Sequence, residues 1–431
     1  SCNSLMVSFG SFSLLEKLNL DISCCHEIRG TGLGYLGQGL LGLQGLKSLA
    51  LNLDSCSNVT QEGIDYLTAC LPNLVFHLES FHLSLNDTEL GEQGLNFVSY
   101  RLRQLYFLKT LSLQFSQPEK MTDLQMGFLG QSIKNLTLLQ SLTLKFNDCL
   151  NITDDGVRSL CDGFAGSYAL RKLDISFTDC ICVSDAGLCY LASTIASVEL
   201  NDLTIRVLGS SDITSEGVRY LRSQVQNLAC LESLILEFSA LNEDGTGTED
   251  IDVETGNTEF GGFTNLKSLE LKIACPNLIG GFLYPNGEMG CLPSLKRLVI
   301  ELDGTLHQES EFNLIKSCVK KLRELEALSI SFKNATSIND EWLKELALSL
   351  RAIRGLKQLS LKIENCKELT QNGMIYITDS IRRFKSLQQL SIYLSRLSIP
   401  NEALYVFAKG IKEMKPLEVI NLGITYCNNI S

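Results

Sequence analysis

The chain has 431 residues, 45% of them apolar, and a net charge of −12. That is enough for two or three globular domains or for one long array with a continuous core. No run reaches the roughly 18 uninterrupted apolar residues of a membrane helix and no secretory signal is visible, so a cytoplasmic location without membrane contact is expected.

Charge is unevenly spread. Residues 290–431 hold 20 Lys+Arg and 15 Asp+Glu; the totals of 37 and 49 leave 17 and 34 for residues 1–289. An acidic two-thirds joined to a basic third argues against nucleic acid as a partner, because phosphate recognition needs a dense positive face. It suits a basic protein partner, or contact between opposite ends of two copies.

One pattern runs from end to end. Leu15-Glu-Lys-Leu18-Asn-Leu20-Asp-Ile22 returns as Leu46-Lys-Ser-Leu49-Ala-Leu51-Asn-Leu53, and again at 108–115 and 139–146. Further copies lie at 170–177, 231–238, 266–273, 295–302, 325–332, 356–363, 387–394 and 417–424. Two weaker copies lie at 78–85 and near 195–203, the latter with Leu200 as its third apolar residue. The third apolar residue advances from 20 to 422 over thirteen intervals, a mean period of 30.9 residues. The alternating tail of each copy predicts a short strand with one buried face.

A helix is predicted after each strand. In "ITDDGVRSLCDGF" and "ITSEGVRYLRSQVQNL" apolar residues fall three and four apart. Thr153 and Thr214 stand where a hydroxyl can cap the first free N–H groups, and Asp154, Asp155 and Glu216 complement the positive end of the helix dipole. Glycine recurs at 32, 63, 94, 156, 187, 217 and 373. A small residue there is expected to let the helix start approach the neighbouring unit.

Strand, turn and helix at a fixed period near 30 are the signature of a solenoid, in which units stack to share one core. The L-x-x-L-x-L strands resemble leucine-rich repeats of the ribonuclease-inhibitor-like superfamily. The C-x-x-[IVL]-[TS]-x-x-G element, as in Cys149-Leu-Asn-Ile152-Thr153-Asp-Asp-Gly156, resembles the cysteine-containing subgroup known from F-box substrate receptors. The resemblance implies an α/β horseshoe with a parallel sheet on the concave face and helices on most of the convex face. It implies one domain, 1–431, of about fourteen repeats. It also implies that Cys25, Cys56, Cys149, Cys180, Cys366 and Cys427, each five residues past the third apolar position, are buried and satisfy turn backbone. The sixteen cysteines are therefore expected to be reduced rather than a disulfide framework.

Two stretches break the pattern. Residues 239–265 carry seven Asp/Glu, no Lys/Arg and several glycines; residues 274–294 have no helical period. Both are expected to be irregular, and the acidic one mobile. Its fit to a calcium loop fails, because Ala240 and Ile251 fall where carboxylates are required.

Other chemistry finds no support. Gly32-Leu-Gly34-Tyr-Leu-Gly37 spells G-x-G-x-x-G, but Gly32 is the repeat glycine, so no dinucleotide is expected. His26, His77, His82 and His307 form no metal-binding spacing, and no C-x-x-C pair meets a second one. No cofactor, metal or catalytic residue is expected.

The outward strand residues should pave the concave face. The central column reads Asn19, Ala50, His82, Ser112, Thr143, Asp174, Glu199, Ile235, Glu270, Val299, Ser329, Ser360, Ser391 and Asn421. Asp174, Glu199, Glu237, Glu270 and Glu301 form an acidic zone, diluted by Lys172, Lys272 and Arg297. Tyr393 and His82 are the rings placed on the face. A basic segment of a protein partner is the expected ligand.

The pattern starts at Cys2-x-x-Leu5 and stops at Ile430-Ser431, with no polar cap at either end. A longer array, flanking capping domains, or head-to-tail self-association would each account for that. The function expected is a non-enzymatic protein-interaction scaffold or structural subunit. The alternatives are a substrate-recognition arm of a ubiquitin ligase, a regulator or inhibitor of an enzyme, and a head-to-tail self-assembling repeat protein.

Overall fold

The structure, a computed structural model, describes residues 12, 14–74, 77–88, 90–116, 120–239, 263–273, 292–303, 315–316, 318–335, 338–397 and 401–427. The chain divides into two compact units, Ser1–Leu228 and Ala229–Ser431. The irregular stretches expected at 239–265 and 274–294 fall outside the described residues, apart from 239, 263–265 and 292–294.

Each repeat supplies one strand. The first unit holds β1 (Lys17–Asp21), β2 (Ser48–Asn52), β3 (Ser80–Asn86), β4 (Thr110–Ser116), β5 (Ser141–Asn147), β6 (Lys172–Thr178) and β7 (Asp202–Leu208). The second holds β8 (Ser233–Ser239), β9 (Ser268–Ile273), β10 (Arg297–Asp303), β11 (Ala327–Lys333), β12 (Gln358–Glu364), β13 (Gln389–Ser395) and β14 (Val419–Thr425). Within each unit the strands run parallel in chain order. Helices α1 (Gly30–Leu41), α2 (Gln61–Thr68), α3 (Glu92–Leu102), α4 (Asp123–Lys134), α5 (Asp154–Cys161), α6 (Asp185–Ile195) and α7 (Ser215–Val225) follow the strands of the first unit. Helices α8 (Asp340–Leu350), α9 (Gln371–Ile381) and α10 (Asn401–Lys412) belong to the second. Each unit is thus a repeat solenoid built from a parallel sheet and a layer of helices.

Strand burial alternates as the sequence implies. In β5, Leu142, Leu144 and Phe146 are buried and Thr143 and Lys145 are half-buried. Equivalent side chains stack from repeat to repeat, because register is fixed by pairing like positions: Leu142 faces Leu111 and Leu173. Phe146 lies 6.1 Å from Phe115 and 5.4 Å from Phe177, ring centroid to ring centroid, with near-parallel planes. Such offset stacks add about 0.5–1.5 kcal/mol each beyond their buried area.

The seventh repeat corrects the sequence reading. Ile205, not Leu200, pairs with Ile175, so β7 begins at Asp202. Leu200 takes the first place of the L-x-x-L-x-L pattern, where Leu139 and Leu170 stand in their repeats, and is fully buried in the turn after α6. Val198-Glu-Leu200 and Leu203-Thr-Ile205 both alternate; the longer run Leu203–Val207 wins because it also pairs across its whole length.

Six strands leave through a tight turn of the same kind. Ser55, Asp87, Asp148, Asp179, Asn334 and Asn365 all have φ between 51° and 57°, a region that Asp and Asn tolerate better than most residues. The next residue points inward and, Ala335 excepted, its side chain donates to a carbonyl. Cys56 Sγ donates to Ile22 O (3.1 Å), Cys149 Sγ to Asn147 O (3.3 Å) and Cys366 Sγ to Glu364 O (3.5 Å). Thr88 and Ser210 fill the same place with hydroxyls, donating to Leu85 O (3.0 Å) and Val183 O (2.5 Å). Cys56, Cys149, Cys180 and Cys366 are buried as expected, but Cys25 is exposed and Cys427 is half-buried.

At 156, 187, 217 and 373 the recurring glycine has a specific cause; at 63 and 94 a Cβ would instead meet Gly30 and Leu90. Asp154 opens α5, and its carboxylate accepts from Ser184 N (2.8 Å), Ser184 Oγ (2.6 Å) and Gly187 N (2.9 Å), all at the start of α6. A Cβ on Gly187 would lie 2.5 Å from Asp154 Oδ1. Asp123 serves Thr153, Asp185 serves Thr214, and Asp340 serves Thr370 and Gly373 in the same way. The N-cap residue meanwhile caps its own helix, Thr153 accepting from Asp155 N and Thr214 from Glu216 N. The aspartate is thus a latch between consecutive helix starts, and glycine leaves room for it.

Ion pairs line the entrance to the strands. Glu16–Lys47 (2.5 Å), Glu79–Lys109 (2.9 Å) and Glu232–Lys267 (2.8 Å) join neighbouring repeats. Glu326 bridges Lys357 (2.7 Å) and Lys296 (3.0 Å), and these two ammonium groups hold its carboxyl below the usual range. Exposure makes each such pair weak.

Two stability predictions arise. Asp154→Ala strands three donors and should cost about 1–3 kcal/mol; Gly187→Ala should cost a similar amount by displacing the carboxylate. The double variant should cost clearly less than the sum, because both act on one contact; urea midpoints of the four proteins check this. Burial also pushes the thiols of Cys70, Cys161 and Cys318 up to about 12. Between pH 9 and that value the unfolded chain releases these protons and the folded chain keeps them. Stability should therefore be intact below pH 9 and fall by about 1.4 kcal/mol per pH unit per thiol above it. Cys161→Ala should reduce the slope of urea midpoint against pH.

Candidate protein-binding face

The register settles which outward side chains meet. In the second unit one row crosses all seven strands: Glu237, Lys272, Glu301, Ser331, Lys362, Tyr393 and Gly423. Parallel strands lie about 4.8 Å apart, so the row runs about 29 Å across the sheet. Each residue is the third outward position of its strand, which is why neighbours in space are about thirty residues apart in sequence.

Lys272 is the centre of the acidic end. It is flanked in register by Glu237 and Glu301, and Glu270, two residues back on the same strand, binds its ammonium at 3.1 Å. Burial alone would lower the Lys272 pKa; the Glu270 carboxylate, helped by Glu237 and Glu301, outweighs it and raises the ammonium above its ordinary value. Three carboxylates thus act on one ammonium. The arrangement can attract and orient a cationic side chain. Val299 and Ile235 flank Glu270 in its own row, giving the acidic end a partly apolar floor.

Tyr393 stands on the same row, three strands and about 14 Å from Glu301. Its ring is 41% exposed and leans over Gly423, where a Cβ would meet Cδ1 at 2.6 Å. Lys362 lies between Ser331 and Tyr393, exposed, so the row changes sign along its length.

The other two acids of the expected zone do not join this group. Asp174 lies in the first unit, on β6, and is paired with Arg206 at 2.7 Å with both side chains mostly buried. Glu199 is not on the sheet face. It precedes β7, in the same turn as Leu200, and reaches Arg171 at 3.5 Å. Its place in the central column belongs to Thr204, which pairs with Asp174. The misplaced seventh strand hid Arg206 as well, and with it the neutralisation of Asp174. The L-x-x-L spacing beginning at Leu200 was the signal that could have corrected both.

On the first unit's face His82 is half-buried between Ala50 and Ser112. Burial pulls its pKa down, Asp54 opposing and Lys145 assisting, so the ring is neutral at pH 7. Asp54 is committed to the strand end, accepting from Ser84 Oγ (2.6 Å) and Asn86 N (2.8 Å). The G-x-G-x-x-G glycines sit inside α1, and a Cβ on Gly37 would lie 2.7 Å from Tyr66 O on the next helix. Among the described residues no group of three or more His, Cys, Asp or Glu is arranged to hold a metal ion, and no helix is long and apolar enough to cross a membrane.

No family profile matches the chain, and no curated protein matches it. Among solved structures the chain is similar to a crystal structure of a Bacteroides fragilis protein, at 15% identity and a TM-score of 0.34, over 74% of this chain. It spans 66% of that protein's length.

Removing the central ammonium tests the charge arrangement. Lys272→Met should destabilise the protein by about 1 kcal/mol at pH 7 and low salt, because three carboxylates then repel one another. The deficit should shrink at high salt and near pH 4. Melting temperature against salt and pH reads this directly.

Proposed function

We propose that the chain is a leucine-rich-repeat protein of the ribonuclease-inhibitor-like type, with cysteine-containing repeats, that works as a non-catalytic protein-binding scaffold. What supports the repeat type is the coincidence of the L-x-x-L-x-L strands with inward thiols after a left-handed turn residue. Its ligand is an extended protein segment laid across the sheet face of the second unit. A Lys or Arg of that segment sits among Glu237, Glu270 and Glu301, and a neutral or acidic stretch passes Lys362 towards Tyr393.

The carrying observation is the ring of three carboxylates around a single lysine. A cluster of carboxylates, on rigid strands, at one end of a row that carries an exposed tyrosine towards the other is a directional feature. It favours one polarity of a bound chain over the other. Tyrosine supplies the rigid apolar anchor that such faces otherwise lack.

The test is a triple substitution, Glu237→Lys/Glu270→Lys/Glu301→Lys, assayed against an immobilised library of extended basic peptides. Peptides that bind the parent protein should bind the variant at least tenfold more weakly, about 1.4 kcal/mol. Parent affinity should fall as salt rises. Equal affinity in parent and variant, with circular dichroism showing an intact fold, would remove the basis for this reading.

A further inference from the structure

The helix layer of the first unit carries a feature that the sheet face does not explain. The sixth residue of six of its seven helices is aromatic: Tyr35, Tyr66, Phe97, Phe128, Tyr190 and Tyr220 on α1–α4, α6 and α7. Ser159 on α5 is the exception. Core positions of these helices are fully buried, but this row is not. Tyr35, Tyr66, Phe128, Tyr190 and Tyr220 are between 37% and 55% exposed, and Phe97 is half-buried. Tyr66 leans on the helix before it at Gly34, where a Cβ would lie 3.6 Å from the tyrosine Cβ. The result is a ridge of rings, one per helix, unbroken over α1–α4. Exposed apolar surface this ordered is uncommon on a face with no partner.

Spacing and charge together say what fits it. Packed helix axes lie about 8–10 Å apart, so the rings repeat at about that distance. A polyproline II helix advances about 3.1 Å per residue with three residues per turn, about 9.3 Å. One ring therefore meets one turn, and four rings meet a segment of about nine to ten residues. The first six positions of α1–α4 hold four carboxylates and no Lys or Arg; Asp65 is paired with Arg101 and Asp123 with Thr153, which leaves Glu62 and Glu92 to face a ligand. Glu62 and Glu92 are exposed. The protein also shows how a guanidinium sits on this surface: Arg158 lies over the Tyr190 ring at 5.6 Å, and Arg103 over the neighbouring Tyr100 at 4.2 Å.

We propose that the aromatic row on α1–α4 is a docking ridge for a proline-rich segment in the polyproline II conformation that carries arginine. Prolines lie between successive rings, and arginines stack on ring faces and reach Glu62 and Glu92. The ridge is separate from the sheet-face site of the second unit, and either can fail without the other.

The experiment titrates the full chain with three nonapeptides: Arg-Pro-Pro repeated three times, Arg-Gly-Gly with the same charge but no polyproline preference, and Glu-Pro-Pro with the charge inverted. Calorimetry should show binding of the first alone. Tyr35→Ser/Tyr66→Ser removes two well-exposed rings and should weaken it at least tenfold. Glu62→Lys/Glu92→Lys should do so while leaving every ring in place. The triple glutamate variant of the sheet face should bind as the parent does. Four results would overturn the proposal: no binding of Arg-Pro-Pro at millimolar concentration, equal binding of Arg-Gly-Gly, indifference to loss of the two rings, or loss of binding in the sheet-face variant. Sedimentation of the ring variant decides against it too if the parent self-associates and the variant does not, since the occupant would then be a second copy.

Discussion

Four junctions of the solenoid depend on a carboxylate that belongs to one helix and serves the next. Asp123, Asp154, Asp185 and Asp340 each open a helix, where negative charge is favoured by the dipole. Each also satisfies backbone N–H and hydroxyl donors at the start of the following helix. The first N–H groups of a helix have no partner within it. In an isolated helix water takes them; here a neighbouring side chain does, and the glycine of the receiving helix is the space it occupies. Helix capping, normally a local matter, has become the contact between repeats.

That contact fixes the phase of each repeat, and phase makes the faces. Because like positions pair with like positions, a residue type placed at one point of the repeat becomes a line on the surface. Buried phenylalanines become a stack, Glu and Lys at the strand entrance become a row of ion pairs, and tyrosines at the sixth helical position become a ridge. The same rule builds the acidic end of the sheet face. Glu237, Lys272 and Glu301 are 35 and 29 residues apart in sequence yet adjacent in space, because each is the third outward residue of its strand. The energetic weight still lies in the leucine and phenylalanine core; the polar lines select how the core is assembled.

Much of this was legible in the sequence, and what escaped did so for definite reasons. The strands and the N-cap threonines follow from spacing, because each recurs and errors average out; the inward cysteines follow from the resemblance the repeat carries, and Cys25 departs from it. The seventh strand was read five residues early, since Val198-Glu-Leu200 alternates as convincingly as Leu203-Thr-Ile205; pairing with Ile175 was needed to choose. That slip carried Glu199 onto the face and left Arg206 off it. The repeat glycine was recognised as a place of close approach. The atom that approaches, an aspartate oxygen from thirty residues earlier, is a tertiary fact that no local pattern contains. The aromatic row is fully present in the sequence, but it emerges only after helices are aligned by their first residue rather than by their strands.

A chain held together this way has a natural unit of inheritance. Excising residues 153–183 would bring the helix opened by Asp123 directly before Ser184, and the carboxylate would find the same hydroxyl, amide and glycine waiting one step along. Phe177 would leave the stack, and Val207 would come to face Phe146 in its place. Gain or loss of one whole period leaves every latch with a receiver, whereas gain or loss of a few residues leaves one without. The length of the array is therefore free to drift in steps of a repeat while the phase within each repeat is not.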